Sequence, residues 1–326
     1  MPLSKIQTTN NQVIPNLGRR NILINGAFQH WQRGTSFSSN VYGSDRWKFY
    51  APGSHAYARS TDTPDSPNNF EFSASCTGSG DATGLTQFVE SKNAKHIPSS
   101  GSTKVILSFY LKHTTNSGTA KITSVVGTMN SADNSGASTN RSTKNHNTTT
   151  SWARYTHEMT GADLTAAVTN GLVVTIKHNG SGNTVFLLTG CQLEINEAVT
   201  PFESRSFAEE LSLCQRYFWI LDDKGASSDS LAAWGRAESS SEIIWWVPFP
   251  VEMRAVPTIA VNGSASDVYA NSVVNLGTYS GQSLLWPNQH RSSLQWTGVS
   301  GVNNTYGYDM VFTNSRTWNV EWRAEL

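Results

Sequence analysis

Period-two alternation is the feature that most narrows what this chain can fold into. From Val105 to His113 the apolar side chains Val105, Leu107, Phe109 and Leu111 recur at every second position and so share one face of an extended strand. Ala120 to Val126, Leu172 to His178 and Thr184 to Ile195 read as further strands of the same domain. Later in the chain Ile243 to Phe249 is almost wholly apolar, and Pro248 and Pro250 limit it to a strand end or a sheet edge. Arg316 to Ala324 sets Trp318, Val320, Trp322 and Ala324 on one face and Thr317, Asn319, Glu321 and Arg323 on the other. Turn clusters at Asn262-Gly263-Ser264, Ser280-Gly281 and Ser300-Gly301 fall at intervals typical of a β-sandwich. Charged residues make up only 15% of the chain, against about 25% in an average soluble protein. Ser, Thr, Asn and Gly fill the deficit, so the expected class is all-β.

Charge and cysteine usage exclude several functions. The 24 basic and 24 acidic side chains cancel, which leaves no global basic stripe for nucleic acid. No run of about 18 apolar residues offers a membrane-spanning helix, so no membrane insertion is expected. The opening Met1-Pro2-Leu3-Ser4-Lys5 lacks the apolar core of a signal peptide, and synthesis in a cytoplasm is expected. Cys76, Cys191 and Cys214 form no CxxC or zinc-type spacing and read as small buried hydrophobes. The eight histidines are scattered, with no HExxH, GxSxG or phosphate loop among them. Asp222-Asp223 is the densest acidic pair of the distal part, but adjacent residues on an extended chain point apart. A pair of glycoside-cleaving carboxylates is therefore not expected, and the chain reads as a non-enzyme.

The two halves are unlike. Up to Arg205 there are 17 basic and 12 acidic residues, and from Ser206 onward 7 and 12. Eight of the eleven tryptophans also follow residue 205. At this boundary Ser206-Phe207-Ala208-Glu209 forms a capping box, which predicts a connecting helix over 206–219. Its apolar stripe of Phe207, Leu211, Cys214 and Phe218 points to a domain or subunit junction. Residues 1–20 carry no acidic side chain and no sustained period and read as an arm. Gly127 to Ser151, in which sixteen of twenty-five residues are Ser, Thr or Asn, reads as an exposed excursion.

Islands along the chain resemble a family of bacteriophage tail fibre and receptor-binding proteins. They begin with Asn21-Ile22-Leu23-Ile24-Asn25-Gly26-Ala27-Phe28, Trp31-Gln32-Arg33-Gly34-Thr35-Ser36-Phe37 and Asp45-Arg46-Trp47. Cys191-Gln192-Leu193-Glu194, Thr200-Pro201-Phe202-Glu203 and the run from Glu209 to Phe218 continue the likeness, as do Phe249-Pro250-Val251 and Met253 to Thr258. Met1 to Gln7 resembles a virion-anchoring leader, and residues 262–316 match no pattern of the family. The resemblance implies an arm at 1–20 that docks onto other virion proteins of tail or capsid. It also implies a jelly roll similar to carbohydrate-binding modules at 21–205; beyond the helix, the strand alternation and turn clusters point to a distal β-sandwich at 220–326. A homotrimer follows from the trimeric habit of such fibres, with Phe207, Leu211, Cys214 and Phe218 at its interface. The resemblance also leaves room for a structural calcium around Asn25 and Asp45, although Gln29 stands where an acidic ligand would sit and Asp45 suits a pairing with Arg46 or a backbone amide. No other cofactor is expected.

Sugars present C–H faces that stack on aromatic rings and hydroxyls that suit amides and carboxylates. Tyr279, Trp286, Asn288, Gln289, His290, Trp296 and Tyr306 lie in turn-rich sequence and form the expected glycan-binding group, while Trp318 and Trp322 read as core. Each ring of that group, taken singly, reads first as buried or at a subunit contact, and the group together as a binding surface. The expected function is host attachment by a virion tail fibre that binds surface glycan without catalysis. A capsid decoration or head-fibre protein and a glycan-degrading tailspike are the alternatives.

Overall fold

A computed structural model describes residues 20–326 apart from 39, 54, 66, 80–81, 99–100, 116, 223–229, 264–267, 272–274, 277–278, 304–305 and 313–318. Residues 1–19 of the expected arm, Asp223 and Trp318 lie outside the described residues. The chain divides into two compact units, Met1–Arg205 with Leu326, and Ser206–Glu325.

Strands of the first unit are β1 (Ser36–Phe37), β2 (Lys48–Tyr50), β3 (Ala56–Ser60), β4 (Ser73–Ser79), β5 (Gly84–Val89), β6 (Lys104–Thr115), β7 (Gly118–Met129), β8 (Ser138–Thr148), β9 (Ala153–Thr160), β10 (Leu172–His178) and β11 (Asn183–Ile195). One helical turn, α1 (Ala167–Asn170), precedes β10. The strands form two antiparallel sheets, ordered β1-β3-β4-β11-β6-β9 and β2-β5-β10-β7-β8. Their inner faces close on each other as a jelly-roll β-sandwich. Val105, Leu107, Phe109 and Leu111, alternate residues of β6, meet Ile122 and Val126 of β7, Val174 and Ile176 of β10, and Phe186 and Leu188 of β11 in one apolar core. Trp47, Phe49 and Tyr57 fill its other end, Phe49 and Tyr57 stacked at 5.0 Å.

The expected excursion at Gly127 to Ser151 is a correction. Its first residues finish β7, and Ser138–Thr148 forms the edge strand β8, in register with β7 from Val125↔Thr143 to Ile122↔His146. A hairpin partner satisfies the backbone whatever the side chains are, and an edge strand with one face to water tolerates a polar composition. The inward residues of β8 are held by hydrogen bonds, and His146 also packs edge-on against Phe109 and Tyr155, at 5.3 and 5.6 Å. The Ser124 hydroxyl lies 2.8 Å from His146 Nε2 and 2.9 Å from His157 Nδ1, and His157 Nε2 lies 2.8 Å from the Ser142 hydroxyl. His113 makes two similar contacts, with Thr148 and Thr184, at 2.8 Å each. Burial, together with the positive charge of His178 and Lys121 near His113 and of Lys144 near His146 and His157, brings these three histidines down from 6.5 to about 4.

The second unit opens with α2 (Phe207–Gln215), where the Ser206 hydroxyl accepts the Glu209 amide at 3.3 Å, the serine half of the expected capping box. Its strands are β12 (Phe218–Asp222), β13 (Ser230–Ser239), β14 (Glu242–Pro248), β15 (Thr258–Asn262), β16 (Val268–Asn271), β17 (Asn275–Leu276), β18 (Gly281–Leu285), β19 (Arg291–Thr297), β20 (Gly307–Phe312) and β21 (Asn319–Arg323). They form a three-stranded sheet, β12-β21-β15, and a seven-stranded sheet, β17-β16-β20-β13-β14-β19-β18. Trp245, Trp296, Leu294 and Met310 of the larger sheet share a core with Val320 and Trp322 of the smaller. Trp322 is thus core, as expected, and its indole N–H donates to the Ser292 hydroxyl at 2.7 Å.

The helix predicted over 206–219 stops at Gln215, and this corrects its stripe. The chain turns at Arg216 and Tyr217, and Phe218 begins β12 opposite Arg323 of β21, fully buried. From Phe218 on, pairing with β21 satisfies the backbone in place of the bonds that further helical turns would make. Phe218 and Cys214 are therefore buried within the chain, Leu211 is half-buried, and Phe207 stands out at 61% exposure.

Candidate functional site

β13 and β14 show how the second unit comes to present aromatic surface. In β13, Ala233, Gly235 and Ala237 point inward, so Trp234, Arg236 and Glu238 point out. In β14, Ile243, Trp245 and Val247 point inward, so Ile244 and Trp246 lie on the other face, where Trp246 is exposed and Ile244 is covered, at 1% exposure. Trp234 and Trp246 are direct cross-strand partners. They are 64% and 40% exposed, large values for the most expensive side chain to leave in water.

Register extends this pair into two rows across five strands. One row runs Asp309, Trp234, Trp246, Ser293, Leu285, from β20 through β13, β14 and β19 to β18. The second runs Gly307, Arg236, Ile244, Gln295, Ser283 in the same strand order. Arg236 sits over the Trp246 ring at 5.9 Å and is ion-paired to Glu238 at 2.8 Å. The Ser283 hydroxyl donates to the Gln295 amide oxygen at 3.1 Å, which orients that amide. Two indoles flanked by a carboxylate, a guanidinium, an amide and hydroxyls form a surface able to stack on rings and hydrogen-bond along their edges.

The residues expected to bind glycan do not form one surface. Trp296 points inward and is fully buried, edge-on to Trp245 at 4.8 Å, and Tyr279 stacks on it at 4.6 Å as part of the core wall. Asn288 and Gln289 shape the turn between β18 and β19. Asn288 Oδ1 accepts the backbone amides of His290 and Arg291 at 2.8 and 3.0 Å, and Gln289 Nε2 donates to the backbone carbonyls of Met253 and Arg254 at 3.1 and 2.8 Å. Trp286, 66% exposed, and His290 are open in that turn, and Trp286 follows Leu285 at the end of the aromatic row. Tyr306 is exposed at the opposite end of the sheet. It precedes Gly307, which lies level with Arg236, whereas the Trp286 turn adjoins the Pro248–Arg291 pair. Trp234 and Trp246 were missed. Their signal was parity: Trp234 alternates in step with the charged Arg236 and Glu238, not with the small residues between them.

The residues around Asn25 and Asp45 do not fit a calcium ion. The Asn25 amide donates to the carbonyls of His30 and Asp45, at 2.9 and 3.0 Å. The Asp45 carboxylate accepts the Gln32 side-chain amide at 2.8 Å and the Gln32 backbone amide at 3.3 Å, and Arg33 stands 3.7 Å from it. Donors and a guanidinium already occupy the directions in which a cation would need bare oxygen. Among the described residues, no three His, Cys, Asp or Glu side chains converge into a metal site.

The architecture is that of jelly-roll and sandwich proteins. No protein-family model and no curated protein sequence matches the chain. Among solved structures it is similar to a xylan-binding domain of family 22 from Paenibacillus barcinonensis, at 14% identity over 55% of this chain and 96% of that one, with a TM-score of 0.36. It is similar to the C-terminal family 22 carbohydrate-binding module of a Clostridium thermocellum xylanase, at 12% identity over 51% and 98%, with a TM-score of 0.34. A third is the enzymatically active domain of tailspike protein 4 from bacteriophage CBA120, at 12% identity over 54% of this chain and 21% of that one, with a TM-score of 0.32.

Proposed function

We propose that this chain is a non-catalytic attachment protein of a bacteriophage particle, a trimeric tail fibre whose second unit binds glycan on the host surface. The observation that carries the binding reading is the exposed Trp234–Trp246 pair with its polar surround. The islands of tail-fibre resemblance supply the virion setting, and the leader-like Met1 to Gln7 supplies the attachment to other virion proteins. In a trimer, weak sites on three chains act together, and linked sites multiply avidity by about 10² to 10⁴ without new contacts.

The test uses the full chain. It should adsorb to host cells and compete with virus, and Trp234→Ala with Trp246→Ala should abolish competition without lowering thermal stability. Unchanged competition by the double variant would remove the face from the function. Release of reducing ends from host polysaccharide would replace attachment by cleavage. A few copies per purified particle fit a fibre, and hundreds would move the chain to the capsid as a decoration protein.

A further inference from the structure

We infer that the ligand of the Trp234–Trp246 face is an internal stretch of an uncharged, linear polysaccharide lying across the strands, one ring on Trp234 and the next on Trp246. The inference rests on the glycan-binding reading of this face and adds the class of glycan, its direction and its charge.

Direction follows from register. Trp234 and Trp246 are opposite each other on neighbouring strands, so their Cβ atoms are about 4.5–5.5 Å apart, close to the length of one sugar ring in an extended chain. Consecutive rings therefore meet consecutive indoles only if the chain runs perpendicular to the strands. A chain parallel to the strands would pass from Trp234 to Arg236, and from Trp246 to Ile244 or Pro248, meeting one indole at most.

Length follows from the row. It crosses five strands, whose four gaps of about 4.8 Å give about 19 Å, room for about four sugar units. Asp309 continues the row on one side of the indoles and offers its carboxylate to sugar hydroxyls, while on the other side Ser293, 5% exposed, lies low between Trp246 and Leu285. Neither is bulky enough to close on a chain end, so the surface suits a passing chain.

Charge complementarity selects the neutral class. Arg236, the cation beside the indoles, is committed to Glu238 at 2.8 Å and to the Trp246 ring. Asp309 adds a carboxylate to the row itself. From Ser206 onward the chain carries 7 basic and 12 acidic residues, so a polyuronate or polysialate would approach a surface of its own sign. Indole faces are the negative part of the ring quadrupole and suit the weakly positive C–H faces of neutral sugars.

The experiment presents the full chain with linear neutral glucans, xylans, mannans and galactans of one to six residues, alongside oligouronates of the same lengths. Affinity for a neutral series should rise about tenfold with the second stacked ring and level off near four units. Trp234→Ala and Trp246→Ala should each remove that rise while leaving the melting temperature unchanged. Equal affinity for one unit and four, or a preference for the uronates, overturns this inference and leaves glycan attachment standing. Failure of every series to bind, with Trp234→Ala changing the mass of the particle in light scattering, overturns both and makes the face a contact between copies of the chain.

Discussion

Acid should loosen the first unit from the edge strand β8 inward. His113, His146 and His157 are buried and held near 4, while in the unfolded chain each titrates near its ordinary 6.5. Between those values the unfolded state binds more protons, so stability is complete above about 6.5 and is lost as pH falls toward 4. Each tenfold change in proton affinity is worth about 1.4 kcal/mol, so an independently titrating histidine here contributes about 3 kcal/mol. His146 and His157 share Ser124 and titrate as a pair, so the three together stay below about 10 kcal/mol. That is comparable with the whole stability of a typical domain, about 5–15 kcal/mol. Three of the hydrogen-bonding residues, Ser142, His146 and Thr148, belong to β8, so this strand should open first. The assay is urea unfolding from pH 7.5 to 4, in about half-unit steps, with hydrogen exchange of the β8 amides alongside. His146→Gln retains a hydrogen-bonding side chain and cannot titrate, so it should flatten the pH dependence by about one proton. The reasoning fails if the wild type is as stable at pH 4 as at pH 7, or if His146→Gln keeps the full slope.

Ser206→Ala removes the helix cap and should cost about 1 kcal/mol in denaturant unfolding, with no effect on glycan adsorption. Trp296→Ala should destabilise by about 3–5 kcal/mol as a core truncation, whereas Trp286→Ala should stay within about 0.5 kcal/mol; equal losses at the two sites would contradict the burial difference. Light scattering should return about three times the 35.6 kDa of the chain, and a single-chain mass would end the trimer proposal. A chain starting at Asn21 should fold and bind cells yet fail to enter virions; wild-type incorporation would remove the anchoring role of the arm.

Local chemistry made much of this architecture legible. The strands read at Val105 to His113, Ala120 to Val126, Leu172 to His178 and Thr184 to Ile195 correspond to β6, β7, β10 and β11, because a strand turns every second side chain to the core, a period that β6 shows in its apolar residues, while β11 is buried on both faces from Phe186 to Glu194 and reads as a mostly apolar run. The Ser206 cap was legible for the same reason, since its partner Glu209 is three residues away. Where residues distant in sequence had to meet, the reading stopped. Nothing within β8 predicts a strand, because its partners are the β7 backbone and the hydroxyls and imidazoles of other strands. Phe218 continues a helical spacing, yet β21, about a hundred residues later, takes it into a sheet. Adjacent tryptophans such as Trp245 and Trp246 must point to opposite faces, but which of them reaches water depends on the sheet that covers the inner side. The same limit separated Trp286 from Tyr306 and joined Trp246 to Trp234: alternation is a property of one strand, while register and strand order come from backbone hydrogen bonds made only when the whole sheet assembles.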